Sequence, residues 1–218
     1  MAYVPDKPLN PSMVWCLILR LVRFFRSNTE SYGIFMDDKI VDVPKLSKLA
    51  RASVPPSLEK LVSLGPKGES LLEWLISNSN EAEIGKTTIQ RSKASLKAPI
   101  TSPPKIICLG LNYRDHAKEA GAKIPEETVI FMKPHTSIAG PDQPVVKPSF
   151  VKELDYEVEL AIVIGRRGRN IPISAAKDFI FGYTAFNDIS ARDIQFKDGQ
   201  WTRGKSFDTF APIGPCIT

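Results

Sequence analysis

Apolar residues alternate along Leu19-Arg-Leu-Val-Arg-Phe24 and recur in Tyr32-Gly-Ile-Phe-Met36 and Lys39-Ile-Val-Asp-Val43, with Asp37-Asp38 between the last two runs. A period of two marks strands, and an acidic pair between two of them marks a turn, so a strand followed by a hairpin is predicted. After Pro44 the spacing becomes helical. Leu58-Glu-Lys-Leu-Val-Ser-Leu64 follows Pro55-Pro56-Ser57, and Ser70-Leu-Leu-Glu-Trp-Leu-Ile76 has Ser70 as its expected N-cap. These elements predict a small β/α unit over residues 17–95, preceded by a disordered extension over 1–16. The stretch from Ser77 to Pro104 is polar, bears lysines and ends in prolines, and reads as the linker to the second half of the chain.

That second half is expected to hold a core over residues 103–218. Strands are predicted at Ile106-Ile-Cys-Leu109 and near 129–132, 157–164 and 179–187. Short strands broken by Gly and Pro predict an α+β, mainly β architecture. Leu160-Ala-Ile-Val-Ile164 is wholly apolar, the pattern of a strand covered on both faces. In an extended strand Glu157 and Glu159 share one face, with Tyr156, Val158 and Leu160 expected to pack behind them. Ionised carboxylates buried there need a cation. The competing reading makes Glu153, Asp155, Glu157 and Glu159 the wet face of an edge strand, and on Glu-x-Glu alone that reading is the stronger.

Composition narrows the chemistry. With 43% hydrophobic residues in 218, a packed interior is available. The net charge of +5 is scattered, and its densest group, Arg166-Arg167-Gly168-Arg169, reads as a solvated turn rather than a nucleic-acid contact. Cys16, Cys108 and Cys216 lack disulfide or zinc spacing, which fits a reducing compartment. Only His116 and His135 are histidines, so oxygen ligands and a hard cation are the metal chemistry on offer. The apolar run Met13–Leu19 is cut off by Arg20 and Arg23, far short of the roughly 20 residues of a membrane span. Asp6 argues against a secretory signal and the Arg-free first dozen residues against a transit peptide, leaving a mitochondrial or cytoplasmic location without a clear targeting segment. Gly65-Pro-Lys-Gly-Glu-Ser70 lacks phosphate-loop spacing.

Four motifs then occur in order: Lys105-Ile-Ile-Cys-Leu-Gly-Leu-Asn-Tyr-Arg-Asp-His116, Asp155-Tyr-Glu-Val-Glu-Leu-Ala-Ile-Val-Ile-Gly165, Asn187-Asp-Ile-Ser-Ala-Arg-Asp-Ile-Gln195 and Arg203-Gly-Lys-Ser-Phe-Asp-Thr-Phe-Ala-Pro-Ile-Gly-Pro215. Together they resemble the fumarylacetoacetate hydrolase family and, through Trp201-x-x-Gly-Lys-Ser-Phe-Asp-Thr-Phe210, its domain-containing protein 2 group. The resemblance implies a β-sandwich-like roll with a mixed sheet, usually a homodimer. It matches Glu157, Glu159 and Asp188 to carboxylates that hold Mg²⁺ or Mn²⁺, with Asn112 standing where the hydrolases proper carry a further acidic ligand. His116 and Glu119 match the family's catalytic dyad. If their stretch is helical, their spacing of three puts them on one face, where the carboxylate would orient the imidazole as a general base. Lys205 matches the lysine that meets developing negative charge. Arg192 and Gln195 match positions near the substrate carboxylate, although Arg192 could equally pair with Asp193 or Asp188. Ser206 and Cys108 have no matched base, so covalent catalysis is not indicated.

The substrates this implies are small 2-oxo acids, above all 2,4-dioxo acids of the acylpyruvate type, cleaved at a carbon–carbon bond through a metal-stabilised enolate. The alternatives are keto–enol tautomerisation or decarboxylation of oxaloacetate at the same site, or a non-catalytic family product. No nucleic-acid or membrane partner is expected. The resemblance also implies further strands beyond Phe210-Ala-Pro-Ile-Gly-Pro-Cys-Ile-Thr218, so the chain as written is expected to be a fragment of low stability and weak activity.

Overall fold

The structure, a computed structural model, describes residues 19–119 and 125–218, apart from the side chains of His116, Ala117 and Glu119. The extension expected over 1–16 lies outside the described residues. Strands β1 (Leu21–Arg26), β2 (Thr29–Met36) and β3 (Lys39–Asp42) follow the alternating runs, and Asp37 forms the expected turn with φ 53°. Helix α1 (Val43–Leu49) starts where the Asp42 carboxylate accepts from the Lys45 N–H at 3.2 Å and Pro44 sits in the first turn. Helix α2 (Leu58–Val62) is capped by Ser57.

Helix α3 (Pro66–Ser77) begins four residues before the expected Ser70 cap. Pro66 is preset for the first helical position, and Gly65, at φ 58°, takes a left-handed turn that a side chain would disfavour.

The stretch read as a linker is largely folded. Asn80 and Glu83 form a reciprocal capping box that opens α4 (Glu81–Thr87), and β4 (Thr88–Gln90) and β5 (Ser95–Lys97) then join the amino-terminal sheet. Its order is β4-β3-β2-β1-β5, antiparallel throughout. Both faces are buried. Leu21, Tyr32, Ile34 and Val41 pack with Leu46, Leu61, Leu71 and Leu75 of the helices, while Val22, Phe24 and Ile40 pack with Ile89 and Leu96. Each such leucine is worth about 1.5–3 kcal/mol of burial, which fixes the helices on the sheet.

The second half is built of pairs. β6 (Ile106–Gly110) leads to α5 (Arg114–Glu119) and pairs antiparallel with β7 (Val129–Lys133). β8 (Ile138–Ala139) pairs parallel with the later β13 (Ala211–Pro212), and β9 (Leu154–Asp155) pairs with β12 (Ser190–Ala191). The longest pair is β10 (Val158–Ile164) with β11 (Ile180–Asn187), followed after β12 by α6 (Arg192–Asp198). Helix and strand thus occur in about equal measure.

The two halves share a core. Phe181 and Ile217 enter the amino-terminal cluster, and Leu21 and Ile217 exchange backbone hydrogen bonds of 2.7 and 2.9 Å. Glu59 of α2 adds a clip, accepting from the Thr101 N–H at 2.7 Å and the Thr101 hydroxyl at 2.6 Å.

One packing expectation fails. Tyr156, Val158 and Leu160 do not pack behind the glutamates; they are 69%, 77% and 61% exposed. Among the described residues β10 pairs with β11 alone, and nothing covers that side.

Candidate active site

The site gathers at the end of the β10–β11 pair. Val158 stands opposite Asn187, and the ladder runs on beyond the strands: the Glu157 N–H donates to Asn187 Oδ1 at 3.1 Å and the Asp188 N–H to the Glu157 carbonyl at 2.9 Å. Glu157 and Asp188 are therefore neighbours across two strands, and Glu159 follows on the same face as Glu157.

Cations enclose these carboxylates. Lys205, delivered by a 3₁₀ turn over Arg203–Lys205, is 2% exposed. Its Nζ donates to Glu157 Oε1 at 2.9 Å, Asp188 Oδ2 at 2.8 Å and Ser190 Oγ at 2.7 Å, and lies 4.9 Å over the Phe131 ring. Lys133, at the end of β7, donates to Asp188 Oδ1 at 2.5 Å and to the Ile189 carbonyl at 3.0 Å. Asp188 thus has one ammonium on each oxygen. Arg192 reaches Glu157 Oε1 at 2.7 Å and Asp155 Oδ2 at 2.8 Å, and donates to Gln195 Oε1 at 3.1 Å. Its carboxylate partners are Asp155 and Glu157, whereas Asp193 accepts from the backbone N–H groups of Lys152 and Glu153.

Electrostatics follow from this enclosure. Burial alone would raise the Glu157 carboxyl, but Lys205, Arg192 and the Ser190 hydroxyl outweigh it and hold the group below the usual carboxylate range. Burial lowers the Lys133 ammonium, an effect that Asp188 only partly offsets. Burial, reinforced by Asp188, pushes the nearby Cys108 thiol up to about 12, so it is no nucleophile at neutral pH.

Of the sequence-derived candidates, Glu157, Asp188, Lys205, Arg192 and Gln195 meet in one hydrogen-bonded group. Glu159 shares the face of Glu157. The backbone of α5 confirms the helix on which His116 and Glu119 lie three apart, but their side-chain contact falls outside the described residues. The donor set fits a hard divalent cation in kind, being carboxylate oxygen only, with Glu157 and Glu159 on one face and Asp188 on the neighbouring strand end. As arranged, however, no three His, Cys, Asp or Glu side chains among the described residues converge as a ligand set, because lysines hold both oxygens of Asp188.

Three contributors escaped the sequence reading: Lys133, Ser190 and Asp155. Lys133 had a signal. It shares strand parity with buried Phe131, and a lysine on the buried register needs a carboxylate partner.

Residues 105–218 match the family model described as fumarylacetoacetate (FAA) hydrolase C-terminal, and the chain belongs to the fumarylacetoacetate hydrolase family. Over 214 residues, 95% of this chain and 64% of the relative, it is 39% identical to the mitochondrial oxaloacetate tautomerase fahd2 of Xenopus laevis. The structure of a fumarylacetoacetate hydrolase from Exiguobacterium antarcticum superposes with a TM-score of 0.70 at 31% identity, covering 92% of this chain and 66% of that one. A maleylpyruvate hydrolase from Sphingobium sp. SYK-6, solved with manganese(II) and pyruvate, gives 0.69 at 28% identity, covering 92% and 67%. The chain spans 48%, 54% and 64% of the lengths of three curated relatives it matches.

Proposed function

We propose that this chain carries an enolate-stabilising site for small 2-oxo acids, and that its reaction is the keto–enol tautomerisation of oxaloacetate. The supporting observation is the buried Lys205 ammonium held between Glu157 and Asp188, a fixed positive charge at the mouth of a strand pair. The choice of oxaloacetate rests on the 39% identity to the Xenopus tautomerase.

In this reading Glu157, Glu159 and Asp188 hold Mg²⁺ or Mn²⁺. Bound there, the cation supplies Lewis-acid polarisation of the 2-oxo oxygen. Lys205 stabilises negative charge on that oxygen as it develops. Gln195, whose Oε1 is engaged by Arg192, has its amide N–H groups to offer a substrate carboxylate. Arg192 holds Glu157 and Gln195 in place while adding positive charge. His116, oriented by Glu119, moves the proton: the enol O–H bond breaks, a C3–H bond forms, and no water is consumed and no carbon–carbon bond broken.

Carbon–carbon hydrolysis of acylpyruvates is the second reading, favoured by the two hydrolases among the similar structures. There His116 activates a water that attacks the 4-carbonyl, and Lys205 meets the departing pyruvate enolate. The test gives the protein enol-oxaloacetate and an acylpyruvate, each with Mg²⁺, Mn²⁺ or a chelator. Faster decay of the enol absorbance without pyruvate release is the expected result. Pyruvate from the acylpyruvate instead establishes the hydrolase, and inertness towards both refutes the catalytic reading.

A further inference from the structure

The two candidate catalytic groups arrive on separate elements. Lys205 comes from the turn that follows α6, and His116 with Glu119 from α5, which starts four residues after β6 ends at Gly110. One side chain bridges them. Trp201, in the turn between α6 and Lys205, meets Phe131 edge to face, with ring centroids 5.5 Å apart at 74°. The same Phe131 ring lies under the Lys205 ammonium at 4.9 Å. The indole also fills the space where a residue at 110 would carry a side chain: a Cβ on Gly110 would overlap Trp201 Cζ3 and lie 2.8 Å from Cη2. Directly after Gly110 the chain turns at Leu111, φ 54°, before entering α5.

We infer that Trp201 is a positioning residue: seated against Gly110, it sets the turn that launches the His116–Glu119 helix relative to the loop that delivers Lys205. This rests on the enolate-site reading, in which both groups act on one small substrate. Proton transfer and charge stabilisation at neighbouring atoms demand relative placement to well under 1 Å, and a 1 Å error costs on the order of 10²-fold in rate. An aromatic wedge against a bare α-carbon is a stiff way to supply it, because the indole is a rigid plane and glycine has no side chain to rearrange. The metal-ligand carboxylates stand on other strands and meet this linkage through the ammonium groups of Lys205 and Lys133. Glu157, Glu159 and Asp188 hang on β10 and the end of β11, whereas the Trp201 ring contacts lie on β6 and β7.

The test uses the 218-residue chain with Trp201→Ala, Trp201→Phe, Gly110→Ala and the double variant Trp201→Ala/Gly110→Ala. Each is assayed for kcat and KM with oxaloacetate well below its unfolding midpoint, and for Mn²⁺ affinity by titration calorimetry. Trp201→Ala is expected to lower kcat about 10²-fold with a far smaller change in Mn²⁺ affinity. Trp201→Phe should recover much of that loss. Gly110→Ala, which keeps the indole but crowds it, should reproduce the kcat defect, and in the Trp201→Ala background it should cost nothing further. A third readout needs no turnover: of the two histidine ring signals in the NMR spectrum, that of His116 should shift in Trp201→Ala while that of His135 stays.

Wild-type kcat in Trp201→Ala overturns the inference. So does a parallel loss of Mn²⁺ affinity and kcat, or full additivity of the two substitutions. If Trp201→Ala fails to fold, Gly110→Ala and Trp201→Phe decide by the same criteria. Wild-type protein that is inert towards oxaloacetate overturns the functional reading alone, and the His116 signal then decides the positional coupling.

Discussion

Asp188 shows what a buried carboxylate demands. It is 2% exposed, and its two oxygens are taken by Lys133 and Lys205, themselves 2% exposed. Removing one partner of a buried pair leaves an uncompensated charge and costs about 3–5 kcal/mol. Lys133→Met should therefore destabilise the protein towards urea, at the low end of that range because Lys205 still serves Oδ2. A loss below about 1 kcal/mol would mean that Lys205 carries the neutralisation alone. The proposed ligand set has its own check. Glu157→Gln together with Glu159→Gln should abolish Mn²⁺ binding in calorimetry while the fold persists, and unchanged affinity would place the metal elsewhere. His116→Ala, by contrast, should keep Mn²⁺ and lose about 10²-fold or more in rate, as for a missing general base. A variant that loses metal and rate together would contradict this division of labour.

Between elements, Glu59 is the most informative contact, because it ties α2 to the segment entering the second half. Burial raises its carboxyl, but the Thr101 hydroxyl, the N–H groups of Thr101 and Ser102 and, more distantly, Arg23 together bring it below the ordinary value. A depressed folded value means that the unfolded chain binds the proton first. The clip therefore contributes fully above the unfolded glutamate value of about 4.3 and loses its contribution as pH falls through the lower folded value. Glu59→Gln should lower the thermal midpoint at pH 7 by the equivalent of under about 1 kcal/mol, given the partial exposure, and the gap should narrow as pH falls below the unfolded glutamate value. A gap independent of pH would show that charge is not what the clip uses. Elements with a long period were legible in the sequence: β1 to β3 with the Asp37-Asp38 turn, and β10 with its paired glutamates. Those missed had physical reasons to be silent. β4 and β5 are three residues each, and their single apolar residues, Ile89 and Leu96, give no period although both are buried. The start of α3 depends on a Gly-Pro pair rather than on a side-chain cap. At the site, Glu157, Glu159 and Asp188 were reached through the family resemblance, since Glu-x-Glu alone favoured a solvated edge, whereas Lys133 lies 55 residues from its partner Asp188, a separation at which no spacing rule operates.

On the scale of the whole molecule, the arrangement separates a charged face from an apolar one along a single strand. Glu157, Glu159, Ala161 and Val163 have one parity, while Val158, Leu160, Ile162 and Ile164 have the other and are 77%, 61%, 53% and 61% exposed. Ile107 and Leu109 of β6 and Ile130 and Met132 of β7 repeat the pattern, also exposed. Contiguous apolar surface of this kind is sticky in water, since each aliphatic side chain left exposed forgoes about 1.5–3 kcal/mol of burial. The period of two makes the two faces independent targets for substitution. Leu160→Thr with Ile162→Thr should reduce the fluorescence of an anilinonaphthalene sulfonate probe on native protein and suppress concentration-dependent association in sedimentation velocity. Mn²⁺ affinity should not change, because both substitutions lie on the side of β10 opposite Glu159. If the native protein binds no probe and sediments identically with and without the substitutions, the face is covered in solution; if Mn²⁺ affinity falls as well, the two faces of β10 are coupled rather than separate.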